Sequence, residues 1–145
     1  MLKFTFVYGE NGYMLSRDLR NDVFGAELCD EYEGSSYHLV GYDKTRQIAV
    51  ARLTMLTEEV CHIDFIAVSG DYRRQYVGDL AVKAIEDRAK SLGAKEAVLD
   101  APLDAMPFFE FENYEDTGEN RERYGKKCRI MRKDLTRVYK CRGCV

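Results

Sequence analysis

The segment from Cys61 to Asp100 constrains the fold most, because a strand, a loop, an amphipathic helix and a second strand are predicted there in succession. The first strand, CHIDFIAV, leads into the loop SGDYRRQ. From Val77 onward, apolar residues recur at the spacing of one helix face, and Gly93 follows them as a residue that commonly ends a helix. The next segment, EAVLD, is nearly all apolar, as is usual for a strand covered on both faces.

Strand and helix patterns also alternate in the N-terminal part of the chain. Leu2–Tyr8 alternates in the manner of a strand, and the apolar residues of Met14–Phe24 predict a helix with Arg20 on its polar side. A short helix or loop is predicted over Ala26–Glu33. The segments YHLVGYD and QIAVARLT, separated by DKTR, predict two strands joined by a polar turn.

The C-terminal part predicts one more helix and a final pair of strands. Pro107 would lie in the first turn of a short helix that Asp104 caps, and Asn113 would end it in the left-handed conformation. YEDTGE and KKCRIMRKDL predict the strands. We therefore expect a single domain over residues 1–145, with one mixed α/β sheet, helices packed on it, and a tail at the extreme C-terminus.

The composition, 46% hydrophobic and 32% charged, is ordinary for a globular protein. No apolar run approaches the roughly 20 residues of a membrane span, and the N-terminus lacks a signal-peptide pattern. We expect a cytoplasmic protein with no membrane partner. The five cysteines are odd in number and irregularly spaced, which argues against a disulfide framework. The terminal CRGC lacks a second zinc half-site, so we predict no metal and interpret it as a tail end.

The net charge of −3 hides a basic C-terminus, with ten Lys or Arg and two acidic residues from Arg121 to Val145. A basic segment attracts phosphates or nucleic acid. However, no nucleic-acid motif accompanies the charge, and alternating basic residues are typical of the solvated face of a strand pair. A nucleic-acid partner is therefore not expected.

The loop RRQYVG between a predicted strand and a predicted helix, followed downstream by FFEFENY, resembles the core of the GNAT superfamily of acetyl-CoA-dependent N-acetyltransferases. The loop pattern of that family, Arg/Gln-x-x-Gly-x-Gly/Ala after the fourth strand, is matched from Arg73 to Gly78, except that Tyr76 replaces the first glycine. The family's FYxxxGF segment appears as FFEFENY, with Phe109 at the tyrosine. The segments LRNDVFGAELCDEY, YHLVGYD and QIAVARL are similar to its ElaA/YjcF-like branch, so the resemblance covers nearly the whole chain.

The resemblance implies a single GNAT-like domain of the α/β (α+β) class, with a mixed, mostly antiparallel central sheet flanked by helices. It also implies acetyl-CoA as cosubstrate, with its pyrophosphate held by main-chain N–H groups at the start of the long helix, where the helix partial charge favours an anion. A main-chain N–H of the splayed fourth strand would polarise the acetyl carbonyl. The implied cofactor-binding residues are Ile66, Ala67, Val68, Arg73, Arg74, Gln75, Tyr76, Val77 and Gly78.

Tyr76 leaves two outcomes open for this cradle. Its ring points away and leaves the cradle intact, or it fills the pyrophosphate space and weakens the cofactor. The alternative for the whole stretch is a helix N-terminus with nothing bound. The resemblance favours phosphate binding.

The implied chemistry is direct attack by a neutral amine on the acetyl thioester within a ternary complex. His62 falls where some family members carry a glutamate base, and an imidazole with a pKa near ~6.5 accepts protons at neutral pH. A surface histidine at a strand start is an equal alternative, and Glu58 and Glu59 in the preceding turn are rivals. Phe109 has no proton to give the leaving thiolate. Either water or another group helps the thiolate to leave, with Tyr114, Tyr124 and Cys128 as candidates, or turnover is slow.

The acceptor is a primary amine of a small molecule or protein. His38 and Arg52 either point at an acceptor groove or are polar strand residues on a solvent face, and a cluster with Asp30 and Glu33 suits a cationic acceptor or is a solvated loop. Because Tyr76 and Phe109 alter both hallmark sites, a catalytically weakened GNAT-fold ligand-binding or interaction module is the second hypothesis. A homodimer stays open.

Overall fold

The computed structural model describes residues 2–73 and 75–139 of the 145-residue chain. These residues form seven strands and three α-helices in one sheet-based architecture. In chain order they are β1 (Leu2–Tyr8), α1 (Glu10–Phe24), β2 (Tyr37–Asp43), β3 (Arg46–Met55), β4 (Val60–Val68), α2 (Val77–Ser91), β5 (Glu96–Pro102), α3 (Met106–Phe111), β6 (Glu115–Arg123) and β7 (Lys126–Asp134).

The strands form a single sheet in the order β1-β2-β3-β4-β5-β7-β6. All neighbours are antiparallel except β4 and β5, which are parallel and are joined by the crossover helix α2. The predicted fold class, a mixed and mostly antiparallel sheet flanked by helices, is confirmed. The predicted C-terminal tail, including Cys141 and Cys144, lies outside the described residues.

The helices cover both faces of the sheet because successive residues of a strand point to opposite sides. On one face, α1 packs Leu19 and Val23 against buried Val40 and Val50. On the other face, the alanines and Ile85 of α2 join the main core, which extends to Leu39, Leu53, Leu99 and Met131. The central strands are therefore buried on both faces.

Strands β4 and β5 separate after a short paired stretch. They pair only from Val60 to His62, and the register of β4 with β3 shifts where Phe65 has a φ of +51°. A bulge of this kind bends a strand and redirects its side chains. The sheet therefore opens on a cleft between the C-terminal halves of β4 and β5.

The short helix α3 largely matches the helix predicted from the sequence. Pro107 lies in its first turn and Asn113 has a φ of +72° beyond its end, as predicted. The prediction that Asp104 caps this helix is wrong, because the helix begins after Ala105 and no side chain caps it. No helix of the described residues has both the length and the apolarity that a membrane span requires.

Candidate active site

A cavity of about 840 Å3 fills the cleft between β4 and β5. Its walls come from β4, β5, α3 and the start of α2, and its far end is closed by Phe24 of α1 and Tyr124 of the β6–β7 turn. The cavity thus runs from a helix N-terminus at one end to an aromatic cluster at the other. One elongated ligand or two smaller ones fit such a space.

Main-chain donors lie at the helix end of the cavity. Helix α2 has no side-chain cap, and among the described residues no hydrogen bond occupies the main-chain N–H groups from Gln75 to Asp79. Tyr76 adopts the left-handed conformation, with φ +62° and ψ +12°, directly before the helix. The residue is 77% exposed and is among those that line the cavity.

The other predicted cradle residues take different positions. Arg73 lines the cavity and donates from Nε to the main-chain oxygen of Val68 at 3.3 Å. Gln75 instead donates to the Asp71 carbonyl at 2.9 Å, and the side chain of Val77 is buried in the core. Arg74 lies outside the described residues.

Gly78 permits close packing between α2 and α3 at the cradle. A Cβ atom at this position would lie 3.3 Å from Cζ of Phe108. Such a distance is tight for a carbon contact, so a larger side chain would push the Phe108 ring away. The glycine of the loop pattern therefore has a packing role here.

The cofactor-binding residues predicted on β4 lie on two different faces of the strand. Ile66 and Val68 line the cavity, whereas Ala67 is buried on the other face against Val40 and Val50. Beyond His62, this stretch of β4 has no ladder partner in β5 within the described chain. In this stretch the Val68 carbonyl accepts from Arg73, and the Phe65 main chain is hydrogen-bonded to Tyr124.

His62 lies between two carboxylates. Its Nδ1 is 3.6 Å from Oδ2 of Asp64 and its Nε2 is 3.2 Å from Oδ2 of Asp100. Burial alone would lower the pKa of His62, but hydrogen bonds and charge attraction from Asp100 and Asp64 outweigh it and raise the pKa above its ordinary value. The side chain is exposed to only 12%, so the expectation of a surface histidine is wrong. Asp64 and Asp100, and not His62, line the cavity.

The rival base and the candidate acid lie away from the cavity. Glu59 occupies the turn before β4, at the opposite end of the strand, where its exposed carboxylate lies 3.4 Å from Nζ of Lys95. Tyr114 is buried and donates to Oε2 of Glu86 at 2.8 Å. Burial and the negative charge of Glu86 hold the pKa of Tyr114 well above its ordinary value. The structure brings neither Glu59 nor Tyr114 to the cavity.

Tyr124, one of the candidate acids, lines the cavity. It has a φ of +59° in the β6–β7 turn, and its ring lies 5.1 Å from that of Phe24 and 5.3 Å from that of Phe65. Burial and the neighbouring Asp64 raise the pKa of Tyr124 above its ordinary value. The thiol of Cys128 is buried and directed to main-chain oxygens.

A buried ionic network underlies this end of the cavity. The Arg52 guanidinium donates from Nε to Asp64 at 2.8 Å and from Nη1 to Asp30 at 2.6 Å. Arg123 donates to Asp64 at 2.7 Å and to Asp100 at 3.0 Å. The network therefore ties β3, β4, β5, the α1–β2 loop and the β6–β7 hairpin together.

Several expectations of solvent exposure are corrected by this network. Arg20, expected on the polar face of α1, is buried and forms a two-pronged ion pair with Glu33. Glu33 is thus not part of a solvated loop. His38 and Arg52 are buried as well, and Nε2 of His38 contacts the Glu33 carbonyl at 3.0 Å. None of them points into an open groove, since ion pairs and burial already hold them.

Sequence reasoning missed the buried carboxyl group of Glu112, which lies at the end of α3. Glu112 lines the cavity and is only 2% exposed, although it follows a helix of largely apolar residues. Burial and the neighbouring Asp79 raise the pKa of Glu112 to about 8. A charged residue within the apolar FYxxxGF-like segment was the available signal. The described residues contain no cluster of side chains suited to hold a metal ion.

The comparisons with known proteins agree with this architecture. Residues 6–111 match the model of the acetyltransferase (GNAT) family. The uncharacterized N-acetyltransferase YjcF of Bacillus subtilis (strain 168) is 31% identical over 93 residues, which are 64% of this chain and 66% of that protein. The match thus spans just under two thirds of this curated relative.

Three solved structures share the fold at low sequence identity. Escherichia coli ElaA is 21% identical with a TM-score of 0.76, covering 92% of this chain and 100% of its own. A GNAT acetyltransferase from Elizabethkingia anophelis with acetyl-CoA bound is 17% identical with a TM-score of 0.72, covering 90% and 97%. The ribosomal-protein-S18-alanine N-acetyltransferase of E. coli is 13% identical with a TM-score of 0.77, covering 97% of each chain. Because the family model matches residues 6–111, the chain belongs to the acetyltransferase (GNAT) family.

Proposed function

We propose that this protein is an acetyl-CoA-dependent N-acetyltransferase that acts on a primary amine of a small molecule or protein. The observation that carries the proposal is the row of main-chain N–H groups from Gln75 to Asp79, which have no hydrogen-bond acceptor among the described residues and lie at one end of the cavity. A helix N-terminus with unpaired N–H groups favours an anion such as a pyrophosphate. The family neighbour with acetyl-CoA bound supports this choice of cosubstrate.

In this proposal each wall of the cavity has a separate role. The amides from Gln75 to Gly78, with the cations of Arg73 and Arg74, hold the pyrophosphate. Ile66 and Val68 contact the pantetheine arm, and main-chain N–H groups of the unpaired part of β4 polarise the acetyl carbonyl. The acceptor amine binds at the end of the cavity that Phe24 and Tyr124 line. The acetyl group then moves by direct attack in a ternary complex.

His62 takes a positioning role in this proposal. Both of its ring nitrogens contact carboxylates, which raise the pKa of the ring above its ordinary value against the effect of burial. With both nitrogens held by Asp64 and Asp100, neither faces the amine as a proton acceptor. The ring instead holds Asp64 and Asp100 at the cavity wall. A cytoplasmic location and a homodimer remain predictions from the sequence.

Binding of acetyl-CoA tests the proposal directly. In calorimetry and thermal unfolding, we expect sub-millimolar binding and stabilisation of about 2.7 kcal/mol at a hundredfold excess over Kd. Arg73→Ala removes a cation from the cradle and should weaken binding about tenfold, or about 1.4 kcal/mol. Arg17→Ala, on the exposed side of α1, is the matched control. An absence of stabilisation at millimolar acetyl-CoA would overturn the proposal.

The second candidate function, a ligand-binding module without turnover, is favoured by Phe109. This side chain lines the cavity at the position of the family's tyrosine, and it has no hydroxyl group from which to donate a proton. The two functions differ in thiol release from acetyl-CoA in the presence of a panel of primary amines. The module binds acetyl-CoA and releases no thiol, whereas the transferase releases thiol with at least one class of amine.

A further inference from the structure

We propose that Glu112 is the proton donor to the thiolate that leaves in acetyl transfer, and that Asp79 positions it. This inference rests on the proposed function. It concerns a carboxyl at the end of α3 that faces the same cavity as the main-chain donors of α2. Neither the ion pairs around Asp64 nor the cradle at Gly78 makes use of this group.

The placement of Glu112 is unusual for a carboxyl. Its side chain is 1% exposed, yet the residue lines the cavity. Its Oε1 lies 3.5 Å from Nζ of Lys83, while Oε2 is buried and has no hydrogen-bond partner among the residues that the structure describes. Buried polar atoms without a partner are rare in folded proteins and call for a functional explanation. A ligand atom in the cavity would give Oε2 the partner that the protein does not supply.

The charges facing Glu112 come mainly from α2. Asp79, in the first turn of this helix, interacts with Glu112 and binds Nζ of Lys83 at 2.6 Å. One turn after Lys83, Glu86 is itself paired with Lys133 of β7 at 2.9 Å. Burial contributes most to the raised pKa of Glu112, followed by the hydrogen bond and like charge of Asp79, with Lys83 acting in the opposite direction. Glu112 therefore keeps its proton at neutral pH while lining the cavity.

Acetyl transfer from a thioester requires such a proton. The amine nitrogen forms a bond to the acetyl carbon and the carbon–sulfur bond breaks, with its electron pair leaving on sulfur. The sulfur takes the proton of Glu112, which gives a thiol and a carboxylate. The proton lost by the amine passes to water, and Glu112 regains a proton from water before the next cycle. No oxidant or further reactant is needed.

The other acidic groups near the cavity are less suited to this step. Phe109 has no acidic proton, and Tyr114 is bonded to Glu86 outside the cavity. Tyr124 lines the cavity, but burial and Asp64 raise its pKa above that of an ordinary tyrosine, which weakens it as an acid. A donor with a pKa near the working pH transfers its proton most efficiently, and Glu112 meets that condition.

The test compares Glu112→Gln with Glu110→Gln, an exposed glutamate of the same helix. Glutamine has the shape of the protonated acid, so the variant should fold. Hydroxylamine serves as a small probe nucleophile, and the protein-dependent release of thiol from acetyl-CoA is followed. We expect Glu112→Gln to lower kcat by on the order of 10²-fold or more, with KM for acetyl-CoA changed less than about twofold. Glu110→Gln should behave as the unaltered protein.

A second readout does not depend on activity. In carbon-13 NMR of protein labelled at glutamate carboxyl carbons, one signal should titrate near pH 8 and be absent from Glu112→Gln. Asp79→Asn should move that titration to lower pH, and the basic limb of the kcat profile should move with it.

The outcomes separate this inference from the proposed function. Unchanged kcat in Glu112→Gln, or a Glu112 signal that titrates below pH 5, would overturn the proton donor while acetyl-CoA binding stands. Binding of acetyl-CoA without protein-dependent thiol release would also count against it. A failure to bind acetyl-CoA at all would remove the proposed function, and the inference with it.

Discussion

Tyr76 shows how one residue departs from its family pattern at a cost in main-chain strain. The left-handed conformation that the loop requires here costs a residue with a Cβ roughly 1–2 kcal/mol, a cost that glycine avoids. The residue is 77% exposed and lines the cavity, so few side-chain contacts offset this cost.

We predict that glycine is better than alanine at position 76, because only glycine relieves the left-handed strain. Tyr76→Gly should be more stable than Tyr76→Ala by about 1 kcal/mol in urea unfolding. At Leu80, a partly exposed position inside α2, the order should reverse, because glycine costs a regular helix about 1 kcal/mol relative to alanine. The same order at both sites would contradict a strained Tyr76.

At the scale of elements, the buried ionic network holds the walls of the cavity in register. Arg52 on β3 is the only described residue whose side chain contacts Asp30, Glu33 and Asp64 together. Removing one partner of a buried ion pair leaves charges without compensation in a poorly solvated place. The network therefore makes the position of β4 depend on a loop and a hairpin distant in sequence.

Arg52→Leu should destabilise the protein by about 3–5 kcal/mol, because three buried or half-buried carboxylates lose their shared cation. Arg46→Leu breaks the exposed pair with Asp71 and should cost less than about 1 kcal/mol. Urea unfolding at low and high salt measures both changes. If the two variants lose the same stability, the network has no special role in holding the fold.

The elements were predictable because their signals are local. Alternation gave Leu2–Tyr8 as a strand, and helical spacing placed α2 from Val77, since both patterns repeat within a few residues. The bulge at Phe65 and the ionic network were not predictable, because they depend on contacts between distant segments. Arg123 and Asp64, for example, are 59 residues apart in the chain. Polar residues on apparently solvated faces gave no sign of such partners.

At the scale of the whole molecule, stability against pH depends on buried groups whose pKa values differ from those of the unfolded chain. Burial and Asp79 raise the pKa of Glu112 to about 8, and two carboxylates raise that of His62 despite burial. Each of these two groups makes its full contribution to stability below the pKa that it has in the unfolded chain. That contribution is lost as the pH rises through the pKa that the group has in the folded protein. Burial lowers the pKa of His38, whose contribution is lost as the pH falls below its unfolded value of 6.5.

Together these shifts predict a stability plateau on the acidic side of neutrality. The free energy of unfolding should rise as the pH falls from about 8.5 to about 6.5, where only Glu112 and His62 contribute. Below about 6.5 the rise should flatten, because His38 then acts in the direction opposite to Glu112. Below about 4 it should fall, since ion pairing lowers the pKa values of Asp64, Asp100 and Asp30 against their burial.

Urea unfolding from pH 3 to pH 9 measures this curve, and Glu112→Gln assigns its upper limb. A neutral glutamine needs no proton to be buried, so the variant should gain on the order of 2–3 kcal/mol over the unaltered protein near pH 7 and keep the fall at acidic pH. The gain should shrink to nothing as the pH approaches 4.5, where the unfolded glutamate is also protonated. A gain that is constant across the pH range would mean that packing, and not the proton on Glu112, sets the difference.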